Sequence, residues 1–179
     1  MRKALFALVI AGSAFTLVRA AEPAKSADEM KCCPMDPKAT ATLERIKKLE
    51  GTWTMSAPGQ PPMSITFKPT AGGSAVIETM FGGTEKEMIN LYTADSDKII
   101  LTHYCMLGQQ PRMKQAASSD NKTIKFEFAD GGNIKSRDEG HMDAVALTVD
   151  GDKLTEEWTF YADGKVVDQK VFEFKREKK

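Results

Sequence analysis

Four sulfur atoms lie within one short segment near the N-terminus, on Met30, Cys32, Cys33 and Met35. Thiolate and thioether sulfur are the soft ligands that select Cu(I), so this spacing predicts a soft-metal site. The alternative is a flexible tether in which one cysteine pairs with Cys105 or with another chain. A disulfide between Cys32 and Cys33 is not expected, because adjacent cysteines rarely fit the geometry of a mutual disulfide. The odd number of cysteines leaves both interpretations open.

A second candidate site consists of polar side chains on predicted strands. Residues two apart on a strand share a face, so His103 and Cys105 lie together, as do Glu156 and Trp158, while His141 has the parity of apolar neighbours on its own strand. The predicted ligand-binding residues are His103, Cys105, His141, Glu156 and Trp158. Such a pocket would bind a metal or haem, or hold the polar head group of a ligand. The alternative is that each histidine is a hydrogen-bonded structural residue.

Sequence signatures of common enzymes are missing from the chain. It contains no HExxH, no paired CxxC and no Gly-x-Ser-x-Gly elbow. The sequence therefore predicts a binding protein with no catalytic residues and no cofactor.

The periodicity of apolar residues indicates which elements carry these side chains. Residues 21–38 have the composition of a flexible linker. Apolar residues then recur at three-residue spacing from Leu43 to Leu49, which predicts a helix over 40–49 that ends before Gly51.

Beyond Gly51 the period changes to two, and turn residues separate the alternating runs. Short connections predict antiparallel neighbours, and the longest break, residues 129–140, is polar and glycine-rich. The fold class predicted is all-β: an antiparallel up-and-down barrel of about ten strands over a domain at 39–179, with a two-sheet sandwich as the alternative. The predicted strands are 51–56, 62–68, 74–81, 86–93, 98–106, 111–117, 122–128, 141–149, 153–161 and 166–175.

The opening Gly51-Thr52-Trp53 after a short helix resembles the start of lipocalin-like (calycin) domains. The resemblance implies that an arginine near the C-terminus, here Arg176, covers the indole of Trp53. Further stretches resemble a group of exported bacterial lipocalin-like proteins of unknown function: 67–75, Leu101-Thr102-His103-Tyr104-Cys105, Gly140-His141-Met142 and Glu157-Trp158-Thr159-Phe160.

Two narrower resemblances bear on metals and haem. The run Cys33-Pro34-Met35-Asp36-Pro37 is similar to the Cys-Pro-Met-His-Pro core of heavy-metal-binding modules in copper-export proteins, with aspartate in place of the histidine. Ten strands also resemble the haem-binding nitrobindins, but Met55 and Ala57 stand where their glycine-rich opening has glycine.

The first residues have the layout of a cleavable signal peptide, residues 1–20. Arg2 and Lys3 precede an apolar run at 4–18, and a small-residue cleavage site follows before Ala21. The run is shorter than the roughly 20 residues that span a bilayer. We therefore expect an exported protein, periplasmic or secreted, with no transmembrane segment after cleavage.

Net charge limits the class of partner. Removal of residues 1–20 lowers the number of basic residues from 25 to 22 against 25 acidic ones, which gives a net charge of −3. A nucleic-acid-binding domain is normally basic, so nucleic acid is not an expected partner. The predicted function is binding of a small, largely apolar molecule in the barrel, and the alternative is a copper-binding or metal-stress protein that uses the N-terminal sulfur cluster.

Overall fold

The computed structural model describes residues 34–56 and 61–178. The predicted signal peptide and residues 21–33 of the predicted linker lie outside this range. The first element is helix α1 (Pro37–Lys47). Asp36 caps it by accepting a hydrogen bond from the backbone N–H of Lys38 at 2.8 Å. Proline is well tolerated at position 37, because backbone N–H groups in the first turn of a helix have no acceptor within the helix. The helix therefore begins three residues before the predicted position, inside the segment that composition marked as linker.

Ten strands follow the helix, close to their predicted positions. The predicted break at 129–140 is shorter than expected, because β7 continues to Gly132 and pairs with β6 beyond a register shift between Arg112 and Met113. The strands are β1 (Gly51–Met55), β2 (Met63–Thr70), β3 (Ala75–Met80), β4 (Met88–Asp95), β5 (Lys98–Tyr104), β6 (Gln110–Gln115), β7 (Thr123–Gly132), β8 (His141–Asp150), β9 (Lys153–Ala162) and β10 (Lys165–Arg176).

The strands form one closed antiparallel barrel. Each pairs with its neighbours in the chain, and β10 returns to β1 through the pairs Trp53↔Arg176 and Thr54↔Lys175. Closure removes the free edges of an open sheet. The predicted ten-stranded barrel is confirmed, and the two-sheet sandwich is excluded.

Helix α1 covers the end of the barrel at which β1 begins. Its buried face carries Ala39, Leu43 and Ile46, which belong to the same apolar core as the interior of the barrel. Thr42 on this face accepts a hydrogen bond from the side chain of Gln115 at 3.1 Å. The helix has 11 residues, and within the described ranges no helix has the length and apolarity to cross a membrane.

The seam between β1 and β10 is held by the contact that the lipocalin resemblance implied. Trp53 is fully buried and donates its indole N–H to the carbonyl of Leu49 at 2.8 Å. The guanidinium carbon of Arg176 lies 4.1 Å from the centre of the Trp53 ring. Arg176 also donates to the carbonyls of Lys48 and Glu50, each at 2.8 Å. The predicted Arg176–Trp53 contact is confirmed, and it ties the last strand to the turn after α1.

We expect replacement of Arg176 by alanine to lower the free energy of unfolding by about 1–3 kcal/mol, because a cation–π contact and two charge-assisted hydrogen bonds are lost together. Urea denaturation measures this loss. Lys175→Ala, on the exposed neighbouring residue, is the matched control and should change stability by less than about 0.5 kcal/mol. Equal losses in the two variants would show that Arg176 does not hold the seam.

Candidate functional site

The barrel interior holds a group of polar and aromatic side chains that we call the lumen cluster. None of its members is more than 3% exposed, although two carry carboxyl groups and one an imidazole. Charged residues are almost never fully buried without a partner, so the group requires an explanation. The lumen cluster consists of Glu78, Asn90, Tyr92, His103, Glu156 and Trp158.

Strand alternation explains why these side chains point inward. On β3, Glu78 has the same parity as the buried residues Val76 and Met80. Asn90 lies directly opposite Glu78 on β4, and His103 lies directly opposite Asn90 on β5. Opposed residues on neighbouring strands share a face. Three adjacent strands therefore present one continuous polar row to the lumen.

Hydrogen bonds along this row determine the tautomer of His103. Oε2 of Glu78 accepts from the amide of Asn90 at 2.9 Å and from the hydroxyl of Tyr92 at 2.6 Å. The carbonyl oxygen of Asn90 lies 2.7 Å from Nδ1 of His103. An amide oxygen only accepts, so Nδ1 carries the hydrogen and Nε2 retains a free lone pair.

Strand β9 completes the cluster from another part of the barrel wall. The indole of Trp158 donates to Oε2 of Glu156 at 3.0 Å, and its ring lies 5.0 Å from the ring of His103. The carboxyls of Glu156 and Glu78 also influence each other's pKa. The contacts form a continuous chain that runs from Glu78 through Asn90, His103 and Trp158 to Glu156.

Burial sets the charge state of the cluster. It raises the pKa of Glu78, although hydrogen bonds from Tyr92, Asn90 and Glu156 oppose the change. Burial and then the charge of Glu78 raise the pKa of Glu156 well above its ordinary value. Burial lowers the pKa of His103 to about 4, so its imidazole is neutral at physiological pH. Burial therefore favours the protonated form of both carboxyls, and the charge of Glu78 further opposes ionisation of Glu156.

Three buried acceptor atoms in the cluster lack a donor from any described residue. They are Oε1 of Glu78, Oε1 of Glu156 and Nε2 of His103. An unsatisfied buried polar group costs about 1–3 kcal/mol. The cluster is therefore arranged to accept hydrogen bonds from something outside the described side chains.

Of the five residues predicted from sequence to bind a ligand, the structure brings three together. His103, Glu156 and Trp158 belong to the lumen cluster. Cys105 follows β5 in a turn, where its backbone bonds to Gln109 and Gly108, and it is only half buried. It does not join the cluster because the strand, and with it the alternation, ends at Tyr104.

His141, the remaining residue predicted to bind a ligand, lies in a separate cluster. A register shift between Met142 and Ala144 interrupts the alternation of β8, which places His141 opposite Tyr161 while Val145 lies opposite Trp158. The shared face inferred from simple parity does not extend across this bulge. Among the described residues, no hydrogen bond or ring contact joins His141 to His103.

The surroundings of His141 satisfy both of its ring nitrogens. Nδ1 bonds to the carbonyl of Glu139, and Nε2 lies 2.7 Å from a guanidinium nitrogen of Arg137. Arg137 also packs 3.7 Å above the ring of Tyr161 and pairs with Asp143. This cluster fastens the loop before β8 to the barrel wall, which corresponds to the structural alternative for His141.

The sequence interpretation missed three members of the lumen cluster: Glu78, Asn90 and Tyr92. A signal was present, since Glu78 interrupts a run of inward-facing apolar positions between Val76 and Met80. A lone carboxylate at an inward position is informative because burial of an unpaired acid is unfavourable.

The predicted copper site falls mostly outside the described residues. Met30, Cys32 and Cys33 lie there, while Met35 is half buried and packs against the apolar core. Within the described part of the chain, no group of three histidine, cysteine or acidic side chains is arranged to hold a metal ion. Copper binding by the N-terminal sulfur cluster stays a prediction.

Comparison with known proteins gives a fold and no family. A scan against protein-family models finds no match, and a search of curated proteins finds none. Among solved structures, the chain is similar to the crystal structure of Rv2717c from M. tuberculosis, with a TM-score of 0.50 and 17% sequence identity over 81% of this chain and 100% of that one. At this identity the likeness concerns the barrel fold alone.

Proposed function

We propose that this chain is an exported, lipocalin-like protein that binds a small molecule inside its barrel. The observation that carries the proposal is the lumen cluster with its three acceptor atoms that lack donors. Ligand sites are typically mostly apolar, with a few polar groups that fix the orientation of the ligand. The Trp53–Arg176 contact is consistent with the lipocalin resemblance.

The end of the barrel opposite α1 provides apolar surface for the body of such a ligand. Half-buried methionines occupy the strand ends there, Met55 and Met63 on paired positions of β1 and β2 and Met88 at the start of β4. Met63 also lines a cavity of about 360 Å³ together with Phe81. Methionine side chains are flexible and adapt to apolar ligands of different shape. We propose that the apolar body packs among these methionines and that the polar head reaches the lumen cluster.

Native mass spectrometry of the exported protein tests this proposal. We expect a polypeptide that begins at Ala21 and carries a non-covalent organic adduct, which is released when the protein is denatured. The measurement is repeated after reduction, so that a thiol-linked adduct is distinguished from a bound ligand. A polypeptide free of adduct, together with no thermal shift in the presence of apolar small molecules, would contradict ligand binding. A mass that still includes residues 1–20 would contradict export with cleavage.

A further inference from the structure

We infer that the ligand of the lumen cluster carries a primary ammonium group, held by Glu78, Glu156 and His103. The inference rests on the proposed function, since it assigns the chemical class of the ligand head group. It depends on the charge of the cluster and on its count of hydrogen-bond acceptors.

The charge of the cluster lacks a counter-ion among its own members. Glu78 and Glu156 are both fully buried, and their described hydrogen-bond partners are an amide, a phenol and an indole. No lysine or arginine belongs to the cluster. A buried charge is strongly unfavourable unless a group of opposite charge is placed beside it. A cationic ligand supplies the opposite charge that allows both carboxyls to ionise, whereas a carboxylate would be repelled.

The acceptors match the donors of an ammonium group in number. Oε1 of Glu78, Oε1 of Glu156 and Nε2 of His103 are three acceptors, and a primary ammonium has three N–H donors. His103 is 1% exposed, so its lone pair is not satisfied by bulk water. A hydroxyl offers one donor and a quaternary ammonium offers none. The indole of Trp158, which lies against His103, adds an aromatic surface that attracts cations.

In the proposed complex the ammonium ion replaces a proton held by the carboxyls, whose pKa values are raised by burial. The protonated pair and the ammonium ion give a complex of two carboxylates with one ammonium ion, and one proton leaves to solvent. The titratable groups that interact with Glu156 are Glu78 from β3 and Tyr92 from β4, and His103 from β5 is connected to it through Trp158. Tyr92, whose pKa is raised by burial, and His103 both stay neutral near pH 7. Affinity should therefore rise with pH, by about tenfold per unit while the free protein holds the proton.

Isothermal titration calorimetry on the exported protein tests the inference with four probes that share an octyl chain. They are octylammonium, octanol, octanoate and octyltrimethylammonium. We expect octylammonium to bind at least about tenfold more tightly than octanol or octyltrimethylammonium, and octanoate not to bind. Titration in two buffers of different ionisation enthalpy should show release of about one proton per octylammonium bound.

Two variants on one strand separate the head-group contact from general effects of charge. Glu156→Gln should weaken octylammonium binding at least about tenfold and remove its pH dependence, and it should weaken octanol binding by a smaller factor. Glu157→Gln, on the exposed neighbouring residue, should bind every probe as the parent protein does. The proton-release measurement needs no variant and tests the inference even if Glu156→Gln fails to fold.

The outcomes distinguish this inference from the proposed function. Equal binding of octylammonium, octanol and octyltrimethylammonium, with no proton release, would overturn the ammonium assignment and leave a small-molecule site in place. An absence of binding by all four probes would overturn the ammonium assignment. If native mass spectrometry also shows no organic adduct, the proposed function is overturned as well.

Discussion

Replacing Trp53 by alanine should lower the free energy of unfolding by about 3–5 kcal/mol, which is the usual effect of deleting a buried tryptophan. The side chain is fully buried at the closed end of the barrel. Its loss leaves a cavity, removes the hydrogen bond to Leu49 and deprives Arg176 of the ring on which it lies. Single domains have a free energy of unfolding of only about 5–15 kcal/mol, so the expected loss is a large fraction of the total stability. Denaturant unfolding followed by circular dichroism measures the change.

Trp53→Phe is the graded control for this substitution. It retains an aromatic ring beneath Arg176 but loses the indole N–H and some volume, so we expect a smaller loss of about 1–2 kcal/mol. A loss of less than about 1 kcal/mol in Trp53→Ala would show that the seam between β1 and β10 does not depend on this residue.

Acidification from pH 6.5 to about 4 should reduce stability by about 3 kcal/mol through His103 alone. Burial lowers the pKa of His103 from 6.5 to about 4 in the native state. Between pH 6.5 and about 4, His103 therefore binds a proton in the unfolded chain but not in the native state. The contribution of His103 is fully present above pH 6.5 and is lost as the pH falls toward 4. Urea denaturation at a series of pH values measures the effect.

The variant His103→Gln isolates this contribution, because glutamine does not titrate. The difference in stability between the parent protein and His103→Gln should change by about 3 kcal/mol across the window. Glu78 and Glu156 act in the opposite sense, since their raised pKa values give stability that is present at low pH and lost as the pH rises. Both proteins contain Glu78 and Glu156, so the difference in stability between them at each pH does not include the contribution of these carboxyls. Parallel pH profiles in the two proteins would contradict a neutral, buried His103.

Most of the fold could be predicted from local pattern. Alternation and turn residues placed ten strands, because each strand has one face in the core and the pattern repeats every two residues. The two differences lie where local pattern is weak. The proline at the start of α1 resembles linker composition, and β7 extends into a polar, glycine-rich segment because β6 pairs with it.

The candidate site was predicted only in part, and the errors have structural causes. His103, Glu156 and Trp158 were identified because their strands alternate regularly. His141 was misplaced because the register of β8 shifts between Met142 and Ala144. One extra residue in a strand reverses the parity of the residues beyond it, and nothing in the local composition marks where that happens.

The amino-acid sequence by itself determined the strands and the helix through their periodicity, and its resemblance to lipocalin-like domains implied the contact of Trp53 with Arg176. Only the tertiary structure decided which inward-facing groups meet. Glu78 and Glu156 are 78 positions apart in the chain and come together because β3 and β9 face one lumen after the barrel closes. Their raised pKa values and the neutral state of His103 arise from exclusion of water, which is a property of the closed barrel and of no single strand.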